Sequence, residues 1–237
     1  MQRIVRRLSR HVLDALAPER CAACAATVTA ETLFCHACRD AVNVLCAPLC
    51  IACGCSVFRD ERCPHGHEAP GSARAFARYD GDAVRHPVAD ALHAFKYRGA
   101  WRLAPRLASA MAQCAPASAV APLVVPVPLH ATRLRSRGFN QSALLAWHVG
   151  RIHHWPVAPR LLVRTRNTPS QTTLTAAARH ANVDGAFALR RVGTAHRHRI
   201  LVIDDVWTSG ATARAIARVL RNDGVAVVDI LTFARVV

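Results

Sequence analysis

Residues 200–212 read ILVIDDVWTSGAT. An aliphatic run stops at two adjacent carboxylates, Asp204 and Asp205. It then passes into a turn of small and hydroxyl residues, Thr208, Ser209, Gly210, Ala211 and Thr212. Ligands on open α/β sheets bind at the carboxyl ends of strands, where this pair stands. The turn leads into a helical pattern, so its N–H groups and hydroxyls converge on one concave spot, a phosphate cradle at a helix N-terminus. Two carboxylates would repel a phosphate unless something lay between them. A ribose fits, because its hydroxyls donate to carboxylates while its 5′-phosphate reaches the turn. The combination points to a sugar phosphate; the plainer alternative is an Asp pair that only caps the helix.

The second chemistry is thiolate. Nine of the ten cysteines lie between positions 21 and 63. Cys21 and Cys24 form one C-x2-C turn, and Cys35 and Cys38 form another. Two such turns supply four ligands for a tetrahedral zinc ion. The competing reading, a disulfide set, does not suit a reducing compartment. Cys50, Cys53 and Cys63 offer three ligands for a second zinc, but Gly66 stands where a fourth cysteine would fall. His67, His65 or Cys55 could complete the set, or the second site has lost its metal. Cys46 and Cys114 read as ordinary small apolar residues.

These groups need elements to position them. "HEAPGSARAF" reads as a linker, which divides the chain into a cysteine module at 1–70 and a second domain at 71–237. From about Phe76 onward, helical patterns alternate with aliphatic strands. "DAVRHPVADALHAFKYRG", "WRLAPRLASAMAQC" and "ATARAIARVLRNDG" read as helices. So does "FNQSALLAWHVGRIHH", with Leu144, Leu145, Val149 and Ile152 on one apolar stripe. "PLVVPVP", "RLLVRT", "HRILVIDD" and "VAVVDILTFARVV" read as strands. This alternation implies an α/β fold, a mostly parallel sheet with helices on both faces.

Composition sets the outer bounds. The chain has 237 residues, enough for one good-sized domain and a small one, and is 52% hydrophobic but only 5% aromatic. No apolar run approaches a membrane span, and "MQRIVRRLSRHVLDALAPERC" reads as a short amphipathic helix, so a cytoplasmic location is expected. The net charge of +16 favours polyanionic partners, unless it records only a preference for Arg over Lys.

"LVIDDVWTSGAT" resembles the phosphoribosyl pyrophosphate (PRPP) motif of type I phosphoribosyltransferases. "VPVPLHATRLRSRGFNQ", "RTRNTPSQTTL", "ARHANVDGAF" and the cysteine module resemble the ComF family, phosphoribosyltransferase-like proteins linked to natural competence. The resemblance implies a type I phosphoribosyltransferase fold behind a double zinc ribbon. Asp204 and Asp205 would hold the ribose hydroxyls with Mg²⁺ nearby, and Thr208, Ser209, Gly210, Ala211 and Thr212 would hold the 5′-phosphate. The stretch after Val127, up to Arg137 and Gly138, would be the pyrophosphate loop, and Arg164 to Thr173 a flexible closing loop. Arg133, Arg135 and Arg137 are spaced to offer guanidinium groups to pyrophosphate. His130 beside them reads as a surface residue.

Trp207 stands where the family carries a small aliphatic residue and reads as a packing residue. Thr208 replaces the acid that purine-salvage members use on the purine, which argues against purine salvage. Displacement at C1 of PRPP needs no covalent nucleophile, so positioning, charge neutralisation and exclusion of water suffice. Two functions of different class follow. One is a phosphoribosyltransferase acting on an unidentified acceptor in DNA uptake. The other is a non-catalytic protein that binds single-stranded DNA, or other competence proteins, and keeps the PRPP fold as a regulatory or structural site.

Overall fold

The computed structural model describes residues 18–45, 49–50, 52, 54, 71–79, 86–168, 183–190 and 198–236. Its helices and strands are α1 (His36–Arg39), β1 (Ala73–Arg78), α2 (Pro87–Tyr97), α3 (Ala104–Ala112), β2 (Leu123–Pro126), α4 (Ala131–Arg137), α5 (Gln141–His153), β3 (Leu162–Arg164), β4 (Phe187–Leu189), β5 (Arg199–Trp207), α6 (Ala211–Asn222) and β6 (Val227–Arg235), with a 3-10 turn over Trp101–Leu103. Four strands form a parallel sheet in the order β1-β6-β5-β2. β3 and β4 make a separate antiparallel pair. The fold class is α/β, as the sequence predicts.

Period-2 alternation divides the core between the two faces of the sheet. Leu201, Ile203, Leu231 and Phe233 pack on one side with Phe95 of α2, Leu107 of α3 and Leu145 of α5. Ile200, Val202, Val228 and Ile230 pack on the other with Ile216 and Leu220 of α6. β5 and β6 are aliphatic on both faces because both are covered. α5 keeps only part of its expected stripe: Leu145 and Val149 are fully buried, while Ile152 is exposed.

Three elements depart from the sequence reading. β1 begins within the stretch read as a linker. It points Ala73, Ala75 and Ala77 inward, and alanine carries neither the bulk nor the branching by which strands are recognised. β4 also falls outside the predicted strands. The segment assigned to a pyrophosphate loop folds instead as α4, with His130 as its N-cap; the His130 Nδ1 accepts a 3.3 Å hydrogen bond from the Thr132 N–H. Gly138 closes that helix at φ 83°, a left-handed conformation that glycine adopts without a Cβ clash.

The cysteine module is joined to the sheet. Residues 43–45 run against β1, with Leu45 N–H donating to Phe76 O at 3.0 Å and Arg78 N–H donating to Asn43 O at 2.8 Å. Cys21, Ala22, Phe34 and Cys38 belong to the same apolar cluster as α2 and α3. Arg106 of α3 donates to the carbonyls of Arg20 (3.0 Å) and Thr32 (2.8 Å) and pairs with Glu19 at 2.9 Å. The expected boundary near residue 70 borders residues 55–70, which lie outside the described residues, as does the N-terminal helix expected in 1–17.

Candidate functional site

The carboxyl ends of β2, β5 and β6 open into a cavity of about 550 Å³, walled by α2, α4 and the turn into α6. Asp204, Asp205, Thr208, Gly210, Ala211 and Thr212 line it, together with Arg133 and Arg137. The structure thus brings most of the predicted residues to one place. Ser209 and Gly138 are outside the lining, and the role visible for Gly138 is ending α4.

The two carboxylates have different partners. Asp205 follows Leu201 and Ile203 onto the α2 and α5 face. There it forms an ion pair with Lys96 and accepts a 3.3 Å hydrogen bond from Gln141 Nε2. Burial alone would raise its pKa, but the Lys96 ammonium outweighs this and holds the carboxyl below its ordinary range. Lys96 shows the converse: burial opposes its charge, yet Asp205 raises its pKa. Asp204 accepts from Ser142 Oγ at 3.0 Å and from the Asp205 N–H at 2.9 Å. Burial, and then the neighbouring Asp205 charge, push its pKa up to about 8.

Gln141 links this pair to the arginines, because its Oε1 accepts from Arg137 at 2.7 Å. A continuous chain therefore runs Arg137–Gln141–Asp205–Lys96. Arg133 and Arg137 are four residues apart on α4 and share its cavity face, whereas Arg135 falls between them and is exposed. Arg133 donates to Thr168 O at 2.8 Å, and Arg164 bonds Thr168 Oγ1. Burial, and then the charge of Arg133, lower the pKa of Arg164, which also lines the cavity. Thr165 to Thr168 of the expected closing loop are described; 169–173 lie outside the described residues.

The turn into α6 supplies the other wall. Gly210 is the N-cap of α6 at φ 71°, and a Cβ there would come within 2.7 Å of Trp207 Cζ2. Ser209 Oγ is buried and has no protein partner, but Ser209 does not line the cavity. Trp207 is buried, with the Arg235 guanidinium 5.5 Å from its ring centroid, and it also lines the cavity, so it both packs and walls the site.

Sequence reasoning missed Lys96, Gln141 and Ser142. Lys96 had a legible signal. It stands four residues after buried Leu92 and beside buried Phe95, so it is a lysine at the edge of an apolar stripe. Gln141 and Ser142 are buried polar residues in the first turn of α5, just after the Asn140 cap. Asn140 Oδ1 accepts from the Ser142 and Ala143 N–H groups, and its Nδ2 donates to Val127 O at 3.0 Å. The start of α5 is thereby fixed to the end of β2.

The metal module is built as predicted at its first site. One Sγ from each of Cys21, Cys24, Cys35 and Cys38 lies within 4.8 Å of the others. Cys24 and Cys35 Sγ are 3.6 Å apart, too far for a disulfide and near the edge of a tetrahedron with Zn–S bonds of about 2.3 Å. Of the second set, Cys50 is buried; Cys53, Cys63 and His67 lie outside the described residues. Among the described residues no helix is long and apolar enough to cross a membrane.

The model of a double zinc ribbon domain matches residues 12–66, a range that contains all the candidate cysteines and ends just before His67. Similar curated proteins include the DNA utilization protein YhgH of Escherichia coli K12, 38% identical over 112 residues, which are 47% of this chain and 48% of that protein. Competence protein F of Haemophilus influenzae is 33% identical over 113 residues, 47% of this chain and 49% of its own. The chain spans about half the length of the curated relatives it matches. A solved glutamine PRPP amidotransferase from B. subtilis, complexed with ADP and GMP, overlaps 54% of this chain and 25% of its own, with 23% identity and a TM-score of 0.35.

Proposed function

We propose that the cavity binds PRPP, or a closely related phosphoribosyl ligand, with Mg²⁺, and that the chain serves DNA utilization or uptake. One arrangement carries this reading: Asp204, the turn residues Thr208, Gly210, Ala211 and Thr212, and the cations Lys96, Arg133, Arg137 and Arg164 meet around a single 550 Å³ space. The turn would take the 5′-phosphate, and the arginines would neutralise a departing pyrophosphate. The donor set suits Mg²⁺, which prefers one or two carboxylates plus substrate phosphates. Asp204 would be its protein ligand, because Asp205 is engaged by Lys96. Bound there, the ion would supply charge neutralisation to the leaving group. In this reading residues 1–70 form a zinc-bearing module beside the ligand-binding body of 71–237, and the names of the relatives supply the link to DNA. Calorimetry with PRPP and Mg²⁺ tests it: Asp204→Asn should weaken binding at least tenfold, and an unchanged affinity defeats the reading.

The charge favours a second reading, in which single-stranded DNA is bound and no transfer occurs. Net +16 gives long-range attraction to polyanions. A pyrophosphate-release screen across bases separates the two, since only a transferase yields pyrophosphate in step with acceptor consumption.

A further inference from the structure

At the mouth of the cavity, the last turn of α2 runs through a tight turn into the 3-10 segment, and its outer surface is aromatic and basic. Tyr97 is 61% exposed and Trp101 is 55% exposed. These are large apolar areas to leave in water. Each ring carries a guanidinium: Arg137 lies 5.1 Å from the Tyr97 centroid and Arg102 lies 5.5 Å from the Trp101 centroid. Arg98 and Arg102 are themselves exposed, and Gly99, at φ 64°, makes the turn between the two rings. The nearest acid on α2, Asp90, is two turns back. Trp101 belongs to no core cluster among the described residues, and their packing does not account for it.

We infer that this ridge, from Tyr97 to Arg102, is a stacking platform for single-stranded DNA. The inference deepens the nucleic-acid reading above by giving it a surface. Exposed π-faces stack on unpaired bases of any sequence, and flanking arginines follow the phosphates. A duplex buries its base faces in the stack, so the platform selects single strands. Tyr, Trp and Arg also serve protein interfaces, but the chain's large positive charge favours a polyanion. Tyr97 and Arg137 also line the cavity, so a strand on the ridge leads to its entrance.

The test is fluorescence anisotropy with a labelled oligothymidylate and a duplex of equal length, over a salt series, on the intact zinc-loaded chain. Trp101→Ala should weaken oligothymidylate binding by at least ~5-fold with the salt slope unchanged, and Trp101→Phe should restore most of it, because stacking is worth roughly 1–3 kcal/mol per base. Arg98→Gln with Arg102→Gln should flatten the log–log slope by about 1.4, at about 0.7 per phosphate contact. Three results overturn the platform: equal affinity of Trp101→Ala and wild type, no preference for the single strand over the duplex, or an equal slope change from Arg160→Gln with Arg221→Gln elsewhere on the surface. Calorimetry of Trp101→Ala with PRPP keeps the two hypotheses apart. Trp101 does not line the cavity, so loss of the platform leaves the sugar-phosphate reading standing, and failure of PRPP to bind leaves the platform standing.

Discussion

The Lys96 ammonium on α2 is ion-paired with the Asp205 carboxylate at the carboxyl end of β5, and Gln141 donates to the same carboxylate. The pair neutralises the Asp205 carboxylate beside the turn into α6. Asp204 is left as the carboxylate available to a ligand.

Breaking that pair from one side should be costly. Lys96→Met leaves Asp205 buried without its cation, and Asp205→Asn leaves the ammonium without its anion; each should lower stability by roughly 3 kcal/mol. The double variant should cost clearly less than the sum of the two. Urea unfolding of all four proteins measures the coupling, and strict additivity would show that the contact contributes nothing.

Stability should depend on pH through Asp204. Its folded pKa is raised to about 8 from an ordinary value of 3.8. Its contribution is therefore full below about pH 4 and is lost as pH rises through 8, because the folded state holds a proton that the unfolded state has released. The depressed pKa of Asp205 acts below pH 4, and the raised pKa of Lys96 acts above 10, so neither moves in this window. His148, lowered by burial and then by the Arg151 charge, works the other way, losing stability as pH falls below about 6.5. Asp204→Asn should remove the Asp204 part alone. Melting temperatures at pH 5 and pH 8 should differ less in the variant than in wild type.

At least one zinc per chain should be bound by Cys21, Cys24, Cys35 and Cys38. Cys24 is exposed, so Cys24→Ser removes a ligand without leaving a cavity. Loss of metal should nevertheless lower the melting temperature of the whole chain. Cys21 and Cys38 share a core with Phe95, Leu107 and Phe233, and the metal contributes to folding the segment that carries them. Elemental analysis with calorimetry checks both halves, and a content near two per chain would add the site of Cys50, Cys53, Cys63 and His67.

Removing residues 1–70 should not yield a tidy fragment. It strips residues 43–45 from β1 and uncovers apolar surface on α2 and α3. An exposed strand edge beside exposed apolar side chains promotes association. Size-exclusion chromatography should show aggregate, and a monomeric fragment with native helix content would contradict the shared core.

Gly210→Val should act on the fold as well as on the ligand. A branched side chain at φ 71°, pressed against Trp207 and Arg214, should cost on the order of 2 kcal/mol or more. Ser209→Ala should keep the stability of wild type, because the hydroxyl it removes has no protein partner. Thermal unfolding beside calorimetry separates the two effects.

Local chemistry by itself determined much of this protein. Four aliphatic residues ending in Asp204 and Asp205, a glycine turn and a helix define β5, its loop and α6, because period and turn residues are properties of a few neighbours. C-x2-C spacing similarly fixes the first four thiolates. Arg133 and Arg137 were legible as cations, but their common face was not, since that depends on 131–137 being a helix and not a loop. What the tertiary structure decided is the division of labour inside the pair. Residues 204 and 205 look equivalent in sequence, yet the packing of α2 and α5 brings Lys96 and Gln141 to Asp205 while only Ser142 of α5 reaches Asp204. The same is true of β1: a run of alanines has too little local preference to declare itself a strand, and it becomes one because β6 and residues 43–45 offer hydrogen bonds on either side.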